Sequence, residues 1–197
     1  MRLLLASKSA ARRRMLEAAG VPFEAVGAGV DEDAVKAALR RRGLPAAELA
    51  LQLSEAKART AEAGAGDLVL GSDQVLELDD GTMLDKPHDR DEALDQLQRM
   101  SGRAHQLHSA ACIVEDGVVA WRHVESVTMH VRSLGDRFLR DYLDREWDQI
   151  RWSVGGYHVE GRGAQLFERI DGSLFAVQGL PLLPLLGLLR ERGVLAS

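Results

Sequence analysis

The sequence predicts an α/β fold with a mixed, twisted sheet flanked by helices, and three observations carry that expectation. An apolar run, Leu3-Leu4-Leu5-Ala6, passes through a turn with two hydroxyls straight into a helical stretch. Helical and strand patterns then alternate along the chain, which is the signature of strands covered by helices. Two apolar runs flanking Glu115-Asp116-Gly117 read as a hairpin, which adds antiparallel pairing to the sheet.

In chain order, the opening strand is followed by a helix from about Ser9. Val21-Pro22-Phe23-Glu24-Ala25-Val26 reads as a short strand that ends in Gly27 and Gly29. Asp31, Glu32 and Asp33 are placed to start a helix that runs to about Arg42, because acidic side chains complement the positive end of the helix dipole. Pro45 opens a longer helix in which Leu49, Leu53 and Ala56 recur at helical spacing, with Lys57 bordering the stripe. The stretch from Asp67 to Leu76 is a strand pattern that Gly71-Ser72 is expected to interrupt. A turn at Asp79-Asp80-Gly81 and a Lys86-Pro87 pair precede a helix from about Arg90 to Met100, closed by Ser101-Gly102. The β region runs from His105 to Val131, and a helix follows from roughly Gly135 to Glu146. After it the chain is punctuated by glycine as far as Gly179-Leu180-Pro181, and a helix from Leu182 to about Arg192 ends the pattern. There is no internal repeat, low-complexity linker or composition break, so residues 1–197 read as a single domain.

Composition narrows the function. The 25 basic and 30 acidic residues leave a net charge of -5, which argues against a general nucleic-acid partner. Cys112 is the only cysteine, so an internal disulfide and a Cys-rich zinc site are both excluded. It sits in the apolar run Ala110-Ala111-Cys112-Ile113-Val114, the setting of an inert buried thiol. Apart from Arg2, the basic residues follow the short first apolar run instead of preceding it, so no secretion signal is read. The apolar tail Leu180 to Leu189 is too short for a membrane span and carries Pro181 and Pro184. A cytoplasmic protein with no membrane partner is expected.

The first helix holds the strongest chemical signal. Arg12, Arg13 and Arg14 fall in or next to its first turn, where positive charge meets the positive end of the dipole. That placement is unfavourable unless an anion sits in front of it. Ser7, Ser9, the free N–H groups of the turn and the guanidinium forks together suit a phosphate; a solvated basic turn is the plainer alternative. Asp73 follows the glycine interruption of an apolar strand, where α/β sheets place ligand groups. Such a carboxylate holds a divalent metal or takes a proton from an attacking water, or else merely caps a loop. Taken alone, Lys57 and Lys86 read as surface lysines and Glu32 as a support for a helix start. His105 and His108 sit three apart on a strand and face opposite sides, a poor metal pair. Neither a Gly-x-x-x-x-Gly-Lys-Ser/Thr loop nor a Gly-x-Gly-x-x-Gly turn follows a strand, which excludes a P-loop kinase and a dinucleotide oxidoreductase.

Taken together, the motifs resemble the Maf family of nucleoside triphosphate pyrophosphatases along nearly the whole chain. They are Leu5-Ala6-Ser7-x-Ser9-x-x-Arg12-Arg13, Val30-Asp31-Glu32, Lys57-Ala58, Gly71-Ser72-Asp73-Gln74-Val75, Lys86-Pro87, Ser101-Gly102-x-x-His105, Gly155-Gly156-Tyr157 and Gly179-Leu180-Pro181-Leu182. The resemblance implies two lobes with a cleft, a divalent cation (magnesium or manganese), commonly a homodimer, and cleavage of a nucleoside triphosphate between its α and β phosphates. By position it implies Asp73 as the catalytic carboxylate and Glu32 as a second carboxylate, the two together as metal ligands. It places Ser7, Ser9, Arg12, Arg13, Lys57 and Lys86 at the phosphates. Gln74, Glu160-Gly161 and Leu166-Phe167-Glu168-Arg169 resemble the branch acting on 7-methyl-GTP more than the branch acting on dTTP and UTP. The chain departs from both branches at Ala10, where Pro is usual, and at Ala11, where Trp or Arg is usual, so Ala11 joins Gln74 and Glu160 as a residue bearing on base choice. A non-catalytic nucleotide-binding regulator of septum formation or division arrest is the rival reading, and it would need no Asp73. An inosine triphosphate pyrophosphatase lacks its own motif in this sequence.

Overall fold

The computed structural model describes residues 1–196. In chain order the elements are β1 (Leu3–Ala6), α1 (Ala10–Ala18), β2 (Glu24–Val26), α2 (Glu32–Arg41), α3 (Ala46–Thr60), β3 (Leu68–Leu78), β4 (Met83–Leu84), α4 (Arg90–Met100), β5 (Ala104–Glu115), β6 (Val118–Val131), α5 (Asp136–Ile150), β7 (Phe167–Asp171), α6 (Leu174–Val177) and α7 (Leu182–Glu191). Short 3-10 turns at Val154–Gly156 and Arg162–Leu166 precede β7. The sheet has seven strands in the order β2-β1-β3-β5-β6-β7, with β4 paired to β3. β1 runs parallel to both β2 and β3, whereas β3–β4 and β6–β7 are antiparallel, so the sheet is mixed as expected. No helix among the described residues is long and apolar enough to cross a membrane.

The chain divides into two compact units, and the division falls within β3, β5 and β6. Among the described residues the first unit comprises 1–74, 109–125 and 174–196. Its β1 is apolar at every position because both of its faces are covered. Leu3 and Leu5 pack with Met15 and Leu16 of α1 and with Leu182, Leu185 and Leu189 of α7. Leu4 and Ala6 pack on the other side with Ala58 of α3 and with Val69, Cys112 and Val114. Cys112 is fully buried there and its thiol is pushed up to about 11, chiefly by desolvation, which makes it unreactive.

The expected interruption at Gly71-Ser72 does not occur, since β3 continues unbroken through Asp73. Gly71 meets a different demand: a Cβ there would stand 2.0 Å from the carbonyl oxygen of Ser54 on α3, and 2.9 Å from the amide of Ala58. The glycine lets helix and strand backbones touch. β2 is shorter than expected and starts at Glu24, after Pro22, which has no N–H to give a ladder.

The second unit comprises residues 75–108 and 126–173. Its buried set includes Leu76, Leu97, Met100, Leu107, Leu139 and Leu166. Tyr157 and Phe167 meet edge to face at 4.8 Å, and His105 Nε2 lies 2.7 Å from the Tyr157 hydroxyl. Burial holds the His105 imidazole down to about 4, so it is neutral at physiological pH. His108 turns instead to Ser126 and Glu77, so the two histidines share no partner, in keeping with a poor metal pair. β7 and the one-turn α6 lie in the stretch that glycine punctuation makes look irregular.

Candidate active site

Strand register gathers the chemistry at one edge of the first unit. Ala6, the last residue of β1, pairs with Val26 of β2 and with Gly71 of β3. The chain therefore leaves β1 and β2 at the same level, and α1 and α2 begin just past it. Ser72 and Asp73 of β3 extend beyond that level, at the carboxyl ends of the parallel strands, where α/β folds bind ligands.

The turn into α1 is built from hydroxyls. Ser9 is the N-cap and accepts from the Arg12 amide at 3.4 Å, which fixes one of the free N–H groups of the first turn. Ser7 Oγ, buried, accepts from the Ser9 amide and from Arg12 Nη1, both at 3.2 Å, so its own hydroxyl hydrogen is left to donate. Arg12 is buried, Arg13 half-buried and Arg14 exposed, so the solvated-turn alternative does not describe Arg12. Its Nε donates to the Gly179 carbonyl at 2.8 Å. Desolvation pushes the Arg12 guanidinium below its ordinary pKa, and the Asp73 and Glu32 carboxylates oppose that shift. Arg13 donates to the Lys8 carbonyl at 3.0 Å, while its buried Nε–H has no acceptor among the described residues.

Lys57 reaches this edge from α3. Its ammonium lies 2.6 Å from Asp73 Oδ1 and 2.9 Å from Glu32 Oε2, the first residue of α2. Lys57 and Asp73 are 7 % and 6 % exposed, so water screens their attraction little. Gly71 makes this contact available: by admitting α3 against β3, it brings Lys57 over the residue two places further along the strand.

Asp73 and Glu32 are hard oxygen donors. No cluster of three or more His, Cys, Asp or Glu able to hold a metal occurs among the described residues. Two carboxylates fit a cation that completes its shell with phosphate oxygens and water, as magnesium does, and do not fit a zinc cage.

Ser7, Ser9, Arg12, Arg13, Glu32, Lys57 and Asp73 thus fall within one unit, at one strand edge. Ala11 is half-buried at the second position of α1. Gln74 is half-buried on β3, its amide nitrogen 2.9 Å from Ser109 Oγ and 3.0 Å from the carbonyls of Ala176 and Val177. Lys86 and Glu160 belong to the second unit, and both are exposed. Sequence reasoning gave no role to the Gly179 carbonyl, which accepts from Arg12, to Ser72, which donates to that same carbonyl, or to Ser109, which donates to Ala176 O. The available signal was polar Ser72 and Gln74 alternating on one face of an otherwise apolar strand.

The family model described as "Maf-like protein" matches residues 2–192. A protein of Sphingopyxis alaskensis named "Nucleoside triphosphate pyrophosphatase" is 46% identical over 195 residues, 98% of each chain. Proteins of Rhizobium meliloti and Brucella suis biovar 1, each named "7-methyl-GTP pyrophosphatase", are 46% and 47% identical, over 98% and 97% of this chain and 97% and 96% of their own.

Proposed function

This chain belongs to the Maf family, and from that premise we propose that it is a nucleoside triphosphate pyrophosphatase, a hydrolase that cleaves the α–β phosphoanhydride to a nucleoside monophosphate and pyrophosphate. The observation that carries this reading is the buried pairing of Lys57 with Asp73, joined from α2 by the half-exposed Glu32, beside the buried Arg12 at the start of α1. A triphosphate carries several negative charges, and more builds on the pyrophosphate as it leaves. Cations already desolvated and fixed in place stabilise that charge without reorganising during the reaction.

In this reading Ser7, Ser9, Arg12, Arg13 and Lys57 hold the phosphates, and the N–H groups opening α1 add their partial positive charge. The Arg12 fork grips two phosphate oxygens, while Lys57 acts as a point charge. Asp73 takes the proton of the attacking water as its oxygen bonds to phosphorus, and the bridging P–O bond breaks with its electron pair on pyrophosphate. Asp73 and Glu32 are the residues that would hold a magnesium or manganese ion, which supplies further charge neutralisation at the phosphoryl oxygens. Lys86 is assigned to the phosphates by its motif alone.

For the base, the reading is 7-methyl-GTP ahead of dTTP, UTP and CTP. Two relatives carry 7-methyl-GTP in their names, and a carboxylate at Glu160 can accept from both N1–H and the 2-amino group of a guanine edge. Methylation at N7 acidifies N1–H and strengthens that contact. Ala11 offers no large side chain against a base, so discrimination rests on Glu160, and a lost edge contact costs roughly ten- to a hundredfold in selectivity. A panel of triphosphates, assayed with magnesium and read as pyrophosphate release, tests it. Preference for 7-methyl-GTP that Glu160→Gln erodes supports the reading; dTTP or UTP as the better substrate by kcat/KM defeats the base assignment alone.

A further inference from the structure

Behind Arg12 lies a row of buried polar groups that the proposed chemistry does not use. Ser72 of β3 and Ser109 of β5 are both fully buried in apolar surroundings, where an unbonded hydroxyl is costly. Both direct their hydrogens at main-chain carbonyls far along the chain. Ser109 Oγ donates to Ala176 O at 2.6 Å and accepts from Gln74 Nε2, which also reaches Ala176 O and Val177 O. Ser72 Oγ lies 2.8 Å from Ala110 O and 3.0 Å from Gly179 O, sharing one hydrogen between them.

The segment these groups grip cannot hold its own shape. α6 is a single turn of four residues, far below the length at which a helix is stable alone. It leads to Gly179, whose φ of +95° suits glycine, and where a Cβ would stand 3.3 Å from Arg12 Nη2. The Gly179 carbonyl is the acceptor for Arg12 Nε at 2.8 Å, the shorter of the two bonds that hold the guanidinium (the other is to Ser7 Oγ at 3.2 Å), so the position of that oxygen helps to set its orientation.

We infer that Ser109, together with Gln74 and Ser72, positions Arg12 by fixing α6 and hence the Gly179 carbonyl. Ser109 and Gln74 touch no phosphate in this arrangement. They determine how squarely the Arg12 fork presents its remaining N–H groups; Gln74, its amide nitrogen turned to Ser109, Ala176 and Val177, takes this part in place of the bearing on base choice expected from its motif, and the effect of both is blind to the base. The inference rests on the phosphate-binding role proposed for Arg12.

The test is a double-mutant cycle of Ser109→Ala and Gln74→Ala against Arg12→Lys, which removes the Nε–H to Gly179 bond. Two readouts are taken with magnesium: kcat/KM for pyrophosphate release from GTP and from dTTP, and the Kd of inorganic tripolyphosphate. The second reports even on an Arg12→Lys protein too slow to assay. Each single variant is expected to lose on the order of tenfold, equally for both bases, and to add nothing in the Arg12→Lys background. Should Ser109→Ala fail to fold, Gln74→Ala at its half-exposed position carries the same cycle. Losses that multiply with Arg12→Lys, that fall on one base only, or that do not occur overturn the inference. A wild-type protein that releases no pyrophosphate from any triphosphate defeats the proposed activity instead, so the two failures are told apart.

Discussion

Lys57 Nζ stands 2.6 Å from Asp73 Oδ1, on a helix and a strand that approach closely enough to meet only because the residue two places before Asp73 is Gly71. The pair is buried, and Glu32 shares the ammonium from α2. Taking such charges out of water is expensive, and their attraction offsets the cost only while both signs are present.

Lys57→Met should therefore destabilise by about 3 kcal/mol, at the low end for a broken buried pair because Glu32 is partly solvated. The triple variant Lys57→Met, Glu32→Gln, Asp73→Asn should recover most of that loss. Urea unfolding of the two proteins checks the account; a triple variant no more stable than Lys57→Met would mean that something other than unpaired charge is responsible.

Asp73→Asn keeps the shape of the side chain and leaves Lys57 paired with Glu32, so the protein should fold. Turnover should drop at least about a hundredfold, the scale for loss of a general base. Near-normal turnover in the folded variant would reduce Asp73 to a structural partner of Lys57.

Gly71→Ala should be among the most damaging single changes in the first unit, although it adds one methyl group. The new Cβ meets backbone at 2.0 Å, so α3 has to move off β3, and overpacking against backbone is one of the few mechanisms that produce the exceptional losses above about 4 kcal/mol. Wild-type-like melting of the alanine variant would contradict the close approach.

At the opposite ends of the strands, Arg2 pairs with Asp67 through Nε at 3.1 Å and Nη2 at 2.5 Å. The hydrogen bond from Arg2 holds the Asp67 carboxyl down to about 2, below its ordinary 3.8. A depressed carboxyl stabilises the fold above its unfolded value, and that stabilisation is lost as pH falls through the folded value. The gap in Tm between wild type and Asp67→Asn should be constant near neutrality and narrow from about pH 4 towards pH 2. A gap that stays constant across that range would mean the pair contributes through packing alone.

Much of this was legible in the sequence. The helices from Arg90 and from Leu182 begin where the sequence puts them, each shortly after a proline, since such signals are local. The basic turn at Arg12 stood out in the sequence because arginines at a helix start are unfavourable without a compensating partner, and the structure gives Arg12 the Gly179 carbonyl and Ser7 Oγ. What stayed hidden depends on contacts distant in sequence. Gly71 looked like a break because nothing nearby announces that α3 lies against it. Ser72 and Gly179 stood in motifs without a role of their own and Ser109 looked like an ordinary strand residue, because their hydrogen bonds span 38 to 107 positions.

The central claim is that the Arg12, Lys57, Asp73 and Glu32 cluster serves hydrolysis at the α–β bond. The most direct measurement is chromatography of the products from one triphosphate with magnesium, wild type beside Asp73→Asn. The account predicts nucleoside monophosphate and pyrophosphate in equal amounts from wild type and almost none from the variant. A nucleoside diphosphate with orthophosphate, or equal products from both proteins, would contradict it.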